Sequence, residues 1–126
     1  MMRSSKAELP VTYEGDGIVF REKAWGAMHV EIDTFDKEFD FTTILKGLPD
    51  DMDPAPHWGY IFKGSFRFKY KDREEVFNAG DVFYAEPWHT AKVEAGTEFV
   101  MFSPEDQEQE NAPVILRNLA TMLQVR

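Results

Sequence analysis

Two of the three histidines, His57 and His89, sit near the two ends of the stretch PHWGYIFKGSFRFKYKDREEVFNAGDVFYAEPWHT, which runs from Pro56 to Thr90. Imidazole is the commonest metal ligand among the side chains and titrates near neutral pH, so two of them in one place can bind a metal or move a proton. Whether they meet depends on the thirty-one residues between them. Apolar and polar residues alternate there in short runs, broken at Lys63-Gly64, Lys71-Asp72 and Asn78-Ala79-Gly80-Asp81. That pattern predicts four strands, at 57–63, 65–70, 73–77 and 82–86. Four strands running back and forth bring the end of the last beside the start of the first, so both imidazoles are expected at one end of a sheet.

The flanking chain reads mostly as further strand. VTYEGDGIVFRE predicts two short strands about the turn Glu14-Gly15-Asp16-Gly17. In WGAMHVEIDTF, Met28, Val30 and Ile32 alternate with His29, Glu31 and Asp33, the pattern of a half-buried strand. His29 falls on its polar side and is expected at the surface or in an interface. FDFTTILK predicts another strand, with Phe39, Phe41, Thr43 and Leu45 on one face, and GLPDDMDPAP must be loop. TAKVEAGTEFVMF predicts a hairpin turning at Ala95-Gly96.

The pattern changes at Ser103-Pro104-Glu105-Asp106, where Ser at the N-cap, Pro at N1 and an acid at N3 announce a helix. Pro113 is expected to interrupt it or to begin a second helix. Val114, Leu116, Leu119, Met122 and Leu123 form an apolar stripe, ending at Arg126, that would pack on the barrel or on a second subunit.

The chain is 126 residues long, which fits one domain. We divide it into a polar leader at 1–10, a β-barrel at 11–102 and a helical segment at 103–126. Eleven Phe, four Tyr and three Trp can fill a sizeable core. Short strands at even spacing with helix only at the end predict an all-β sandwich or barrel. A net charge of −9 argues against nucleic acid as a partner, because phosphate contacts need a basic face. No apolar run reaches the ~20 residues of a membrane span. The first ten residues lack the apolar region of a secretory signal, and there is no cysteine for a disulfide or thiolate site, so a cytoplasmic location is expected.

HWGYIFKGSFRF followed by NAGDVFYAEPWHTAKVEAGTEFVMFSP, about half the chain, resembles the cupins, small jelly-roll barrels. Gly80 to Pro87 looks like the opening of the second cupin motif, and Tyr60 to Gly64 like the end of the first. The resemblance implies a single-domain double-stranded β-helix, a homodimer, and a metal held by motif histidines. Counting back from Gly64 puts His57 in the glutamate slot of the first motif, Asp53 in the second histidine slot and Asp51 in the first. Counting forward from Gly47 also makes Asp53 a ligand position. In the second motif the histidine slot falls on Ala91, with His89 two residues earlier, one strand repeat away. The implied ligand set is Asp53, His57 and His89, with Asp51 as a further candidate. Two imidazoles and one carboxylate suit Fe(II), Mn or Ni and leave positions open; zinc is the other candidate.

Beside that set, Glu86 is the candidate general base if it faces the cavity. Trp58, Trp88, Tyr60, Phe62 and Tyr84 are candidates for lining a ligand pocket, with Gly59 leaving space beside His57 on one face of the strand. The other reading of these aromatics is packing between sheets or subunits. Two functions lead among the readings of this pattern, with a purely structural or interaction role as a third. The first is a divalent-metal cupin acting on a small organic molecule as an oxygenase, isomerase or lyase. The second is a metal-free small-molecule-binding module.

Overall fold

The computed structural model describes residues 3–125, and Arg126, expected to close the helical segment, lies outside them. Ten strands precede a long helix. They are β1 (Val11–Gly15), β2 (Ile18–Trp25), β3 (Met28–Phe35), β4 (Phe39–Asp40), β5 (His57–Lys63), β6 (Ser65–Lys69), β7 (Glu74–Asn78), β8 (Val82–Ala85), β9 (Thr90–Val93) and β10 (Thr97–Pro104). A one-turn helix, α1 (Thr42–Leu45), follows β4, and α2 (Glu105–Val125) ends the chain. The strands form two antiparallel sheets, one ordered β1-β2-β3-β10-β5-β8 and the other β4-β9-β6-β7. The all-β barrel expected from the strand pattern, in the jelly-roll form that the resemblance implied, is therefore present.

The sheets meet through aromatic rings. Phe66 of β6 stacks on Phe99 of β10 with centroids 4.4 Å apart, and Phe68 lies 5.9 Å from Phe83 of β8. Phe35, Ile61 and Val93 complete the least accessible part of this core. Burying one such side chain contributes about 1.5–3 kcal/mol.

The back-and-forth path differs from the expected one in an instructive way. β5 and β8 are neighbours in the large sheet, with His57 opposite Ala85, whereas β6 and β7 pair with each other in the facing sheet. The chain returns to its starting point by crossing the barrel. Likewise β9 and β10 do not form the predicted hairpin: they belong to opposite sheets and the turn at Ala95-Gly96 is a corner.

Three further expectations are corrected. The strand predicted over FDFTTILK is strand only at Phe39–Asp40. The Asp40 carboxylate then accepts from the Thr42 amide at 2.9 Å and the Asp40 carbonyl from the Thr43 hydroxyl at 3.0 Å, which turns the chain into α1. Ser103 is not an N-cap but a fully buried strand residue, because β10 continues to Pro104 to complete its pairing with β3. Finally, α2 runs unbroken through Pro113. Its packed face is Ile115, Leu119 and Met122, while Leu116 of the predicted stripe is exposed. Leu123's side chain lies outside what is described.

Candidate functional site

The inner surface of the barrel is apolar at one end and polar at the other. Moving along β10, Thr97, Phe99, Met101 and Ser103 point inward, opposite Phe35, Asp33, Glu31 and His29 of β3. The polar face of β3 therefore looks into the barrel, which corrects the expectation that His29 lies at the surface. Beyond β3, the register of β2 puts Glu22 directly opposite Glu31. On the other side of β10, Ser103 lies one step beyond the Phe102–Trp58 pair, beside His57 of β5. A cavity of about 420 Å³ occupies this end, covered by the first turns of α2.

His57 and His89 do meet. Their ring centroids are 5.0 Å apart and each residue is 2% exposed. Asp53 lies between them, its Oδ2 2.8 Å from His57 Nε2 and 3.6 Å from His89 Nε2. The three ligand atoms all fall within 4.8 Å of one another. Three local devices set this geometry. The Asp53 amide donates to the His89 carbonyl at 2.8 Å, while the amides of Trp88 and His89 both donate to the Asp53 carbonyl, at 2.8 and 3.2 Å. Trp88 takes a left-handed backbone conformation (φ 69°) to make that turn, a conformation costly for a bulky residue. Asp53 Oδ1 is occupied by the Ala55 amide at 2.8 Å and the Asn111 side-chain amide at 3.1 Å, the latter reaching in from α2.

The far nitrogens of both rings are tied as well. His89 Nδ1 is 2.7 Å from the Glu86 carbonyl, which can only accept, so Nδ1 carries the proton and Nε2 presents a lone pair. His57 Nδ1 is 2.6 Å from the Ser103 hydroxyl, which can accept or donate. Burial would raise the Asp53 carboxyl, but the adjacent His57 and His89 outweigh it and hold the group well below the usual carboxylate range. Burial would lower His57, and Asp53 beside it raises it instead. Two imidazole nitrogens and one carboxylate oxygen, each fixed from behind by a hydrogen bond, fit a divalent transition metal in both donor type and support.

A second histidine cluster faces the same cavity. His29 Nε2 lies 2.8 Å from Glu22 and 3.6 Å from Glu31, and its Nδ1 lies 2.9 Å from Glu105 at the start of α2. Burial alone would lower its pKa, yet these three carboxylates push it up to about 11. Glu22, His29 and Glu31 also bring ligand atoms within 4.8 Å of one another. With both ring nitrogens donating to carboxylates, however, this imidazole keeps no lone pair for a metal. Nearby, burial and the Glu31 charge push Glu108 up to about 8, and burial with the Glu31 and Glu22 charges raises Asp33 well above the usual range.

The other sequence-predicted residues lie elsewhere. Glu86, expected as a general base, has a side chain 55% exposed and paired with Arg73 at 3.2 Å, away from the cavity. Trp58 and Tyr84 pack against each other in a tilted pair on the outer face of the large sheet, at 5.3 Å between centroids. Tyr60 and Phe62 share that face and Trp88 is exposed on its loop, so none of these five is among the residues lining the cavity. Gly59 faces inward but leaves no space beside His57. A Cβ there would sit 2.3 Å from the Val100 carbonyl and 2.6 Å from the Phe83 ring, so the glycine permits close packing of β5 against β10. Asp51 is exposed and caps the Gly47 amide at 2.9 Å. Sequence reasoning missed Ser103, Asn111 and the inner acidic wall. For the wall a signal was present: a hairpin from Ile18 to Phe35 turning at Gly26 sets Glu22 across from Glu31, a like-charge pair that an ordinary solvated sheet avoids.

The chain matches no family model and no curated protein. Its fold is similar to that of an RmlC-like cupin from Shewanella frigidimarina NCIMB 400, at 18% identity and TM-score 0.54, covering 80% of this chain and 88% of that one. It is similar to a protein of unknown function from Rhizobium leguminosarum bv. viciae 3841, at 7% identity and TM-score 0.57, covering 82% and 95%. It is also similar to a variant of oxalate decarboxylase from B. subtilis, at 16% identity and TM-score 0.55, covering 82% of this chain but 29% of that one. These likenesses establish the fold alone: the chain folds as the jelly-roll barrel of those cupin structures, the fold that the resemblance over its second half implied. No helix among the described residues is long and apolar enough to cross a membrane.

Proposed function

We propose that the protein binds a divalent metal ion through Asp53, His57 and His89 and acts on a small organic molecule held in the adjoining cavity, as an oxygenase, isomerase or lyase. The observation that carries this reading is the convergence of three ligand atoms from two distant stretches of chain, 53–57 and 89, within 4.8 Å, with each far atom already hydrogen-bonded. A metal there would act as a Lewis acid on a substrate oxygen or bind an oxygen species. The residues of the chain do the rest. Asp53 and His57 reach the cavity wall, Ser103 and the Glu86 carbonyl orient the two rings, and the apolar wall of Phe20, Met101, Ile115 and Leu119 excludes water from the substrate's body.

One observation favours the metal-free binding module instead. The 2.8 Å contact between His57 and Asp53 is satisfied by a single proton, as a buried ion pair. Elemental analysis before and after chelation separates the two readings. The metal reading expects bound metal that His57→Ala and His89→Ala abolish. It also expects thermal stabilisation by the preferred metal of about 2.7 kcal/mol at a hundredfold excess over Kd. No metal, and no shift with Fe(II), Mn, Ni or Zn, leaves the binding module.

The outer face of the large sheet supports a homodimer. Trp58, Tyr60, Phe62, Val82, Tyr84 and Phe102 are all exposed there and none is charged, so two copies of a chain of net charge −9 can approach face to face. A Tyr84→Lys variant should be monomeric by light scattering, and a wild-type monomer would refute this. A cytoplasmic location accords with the absence of cysteine.

A further inference from the structure

The cavity wall away from His57 holds more acid than its bases can match. Facing the space are Glu22, Lys23, His29, Glu31 and Asp33 from β2 and β3, Glu105 and Glu108 from α2, and Asp53 and His57 from the metal set, with Tyr13 of β1 beside them. Lys23 lies over the Trp25 ring, and the His29 cation is already engaged by Glu22 and Glu105. Glu31 shares that cation at 3.6 Å, so Asp33 and Glu108 remain without a basic partner of their own among the described residues. A second observation, independent of that count, points to a ligand. Among the described residues just two buried side-chain oxygen or nitrogen atoms have no hydrogen-bond partner, Asp33 Oδ1 and Tyr13 Oη. Both residues line this cavity, and Asp33 is 2% exposed. Buried polar atoms are rarely left orphaned, and one carried by a residue in the wall of a cavity, beside other carboxyl groups, is placed to receive a donor.

We propose that Tyr13, Glu31, Asp33 and Glu108 form a subsite for the ammonium group of a small primary amine, whose apolar body lies along Phe20, Met101, Ile115 and Leu119. An ammonium group offers three hydrogen-bond donors and a positive charge, which answers acceptors that lack donors and carboxyls that lack a cation. The apolar remainder of the wall distinguishes this from a site for a bare divalent ion, which needs six or more oxygen ligands around it. The raised Asp33 and Glu108 carboxyls mark the same surplus, since an arriving cation is what favours their ionised forms. The subsite names a substrate class for the metal centre proposed above and depends on that reading only for what is done to the amine.

Calorimetric titration of the full-length chain with butylamine and with its neutral counterpart 1-butanol tests the proposal, in both metal-loaded and chelated protein. Butylamine should bind at least about tenfold more tightly than butanol, the contribution of a charged hydrogen bond in a buried site. Asp33→Asn keeps the side-chain shape and removes the group that can ionise against the amine, and Tyr13→Phe removes the hydroxyl; the first should abolish the preference and the second weaken it. Equal affinity for amine and alcohol overturns the proposal, as does an unchanged preference in a folded Asp33→Asn protein. Displacement of the amine by Mg2+ at a site lost in Asp33→Asn overturns it in favour of a cation site. Amine preference that persists in metal-free His89→Ala protein upholds the subsite even where the metal reading has failed.

Discussion

Two clusters of histidine and acid share one cavity, and they are built for opposite ends. At His89 the far nitrogen is tied to a main-chain carbonyl, which fixes the proton on Nδ1 and leaves Nε2 as a lone-pair donor. At His29 each nitrogen faces a carboxylate, so each must carry a proton and the ring is a fixed cation. Residue type does not distinguish the two; the partner of the second nitrogen does. The comparison teaches that a carbonyl or hydroxyl behind an imidazole prepares a ligand, whereas a second carboxylate prepares a counter-ion.

The largest effect that would sharpen or break this contrast is on metal content. Asp53→Ala or His89→Ala should weaken metal affinity by more than about 100-fold, above the usual effect of losing an outer hydrogen-bond partner. His29→Ala should leave metal content unchanged by elemental analysis. Metal lost equally from both would show the two clusters to be one site. Next comes stability. His29→Ala strips the cation from Glu22, Glu31 and Glu105 and should cost about 3 kcal/mol in urea unfolding, with part of the loss restored by adding Glu31→Gln. Ser103→Ala, which leaves all three ligands in place, should weaken metal affinity by about 10- to 100-fold.

A smaller effect concerns pH. Glu108 has an ordinary pKa of 4.5 and is raised to about 8, so the folded protein keeps a proton that the unfolded chain releases. Its contribution to stability is complete below pH 4.5 and is lost as pH rises to about 8. His29 acts in the same sense between its ordinary 6.5 and about 11. Asp53 acts in the opposite sense, losing stability as pH falls below its ordinary 3.8. Melting temperature should therefore fall by several degrees between pH 5 and pH 9, about 4 °C for each 1 kcal/mol at this size. Glu108→Gln should flatten that slope; an unchanged slope would mean that the acidic wall is not under strain. Smallest of all, Glu86→Gln should change neither metal content nor melting temperature, since its partner Arg73 is a surface contact.

Period-two alternation made β3, β5 and β6 legible, together with the inward parity of His57, because side chains on a strand have only two directions. The meeting of His57 and His89 was legible too, although by a path through the opposite sheet. Alternation says which residues share a face but not which sheet a strand joins, and the corner at Ala95-Gly96 and the β6–β7 excursion are questions of sheet membership. The inner position of His29 was hidden by the default that a polar face meets water. Here that default fails because the cavity needs polar groups, and functional sites are where such local rules give way. Ser103 was hidden because Ser-Pro-Glu before a helix reads as a cap, while its pairing with β3 keeps it in the strand. The exposed aromatics were legible as a set but not by side, because Trp58 and Tyr84 suit a pocket and an interface equally well.

The main-chain clasp between residues 53 and 89 makes the spacing of the centre independent of which side chains occupy it. Two backbone bonds join those two positions, and a third from the Trp88 amide to the Asp53 carbonyl supports them, whatever groups they carry. Asp53→His would exchange an anionic donor for a neutral one at nearly the same separation, forfeiting the Ala55 and Asn111 contacts. A centre fastened in this way has interchangeable parts, so on the proposed metal reading its preference among metals could drift by single substitutions while the barrel around it stands still.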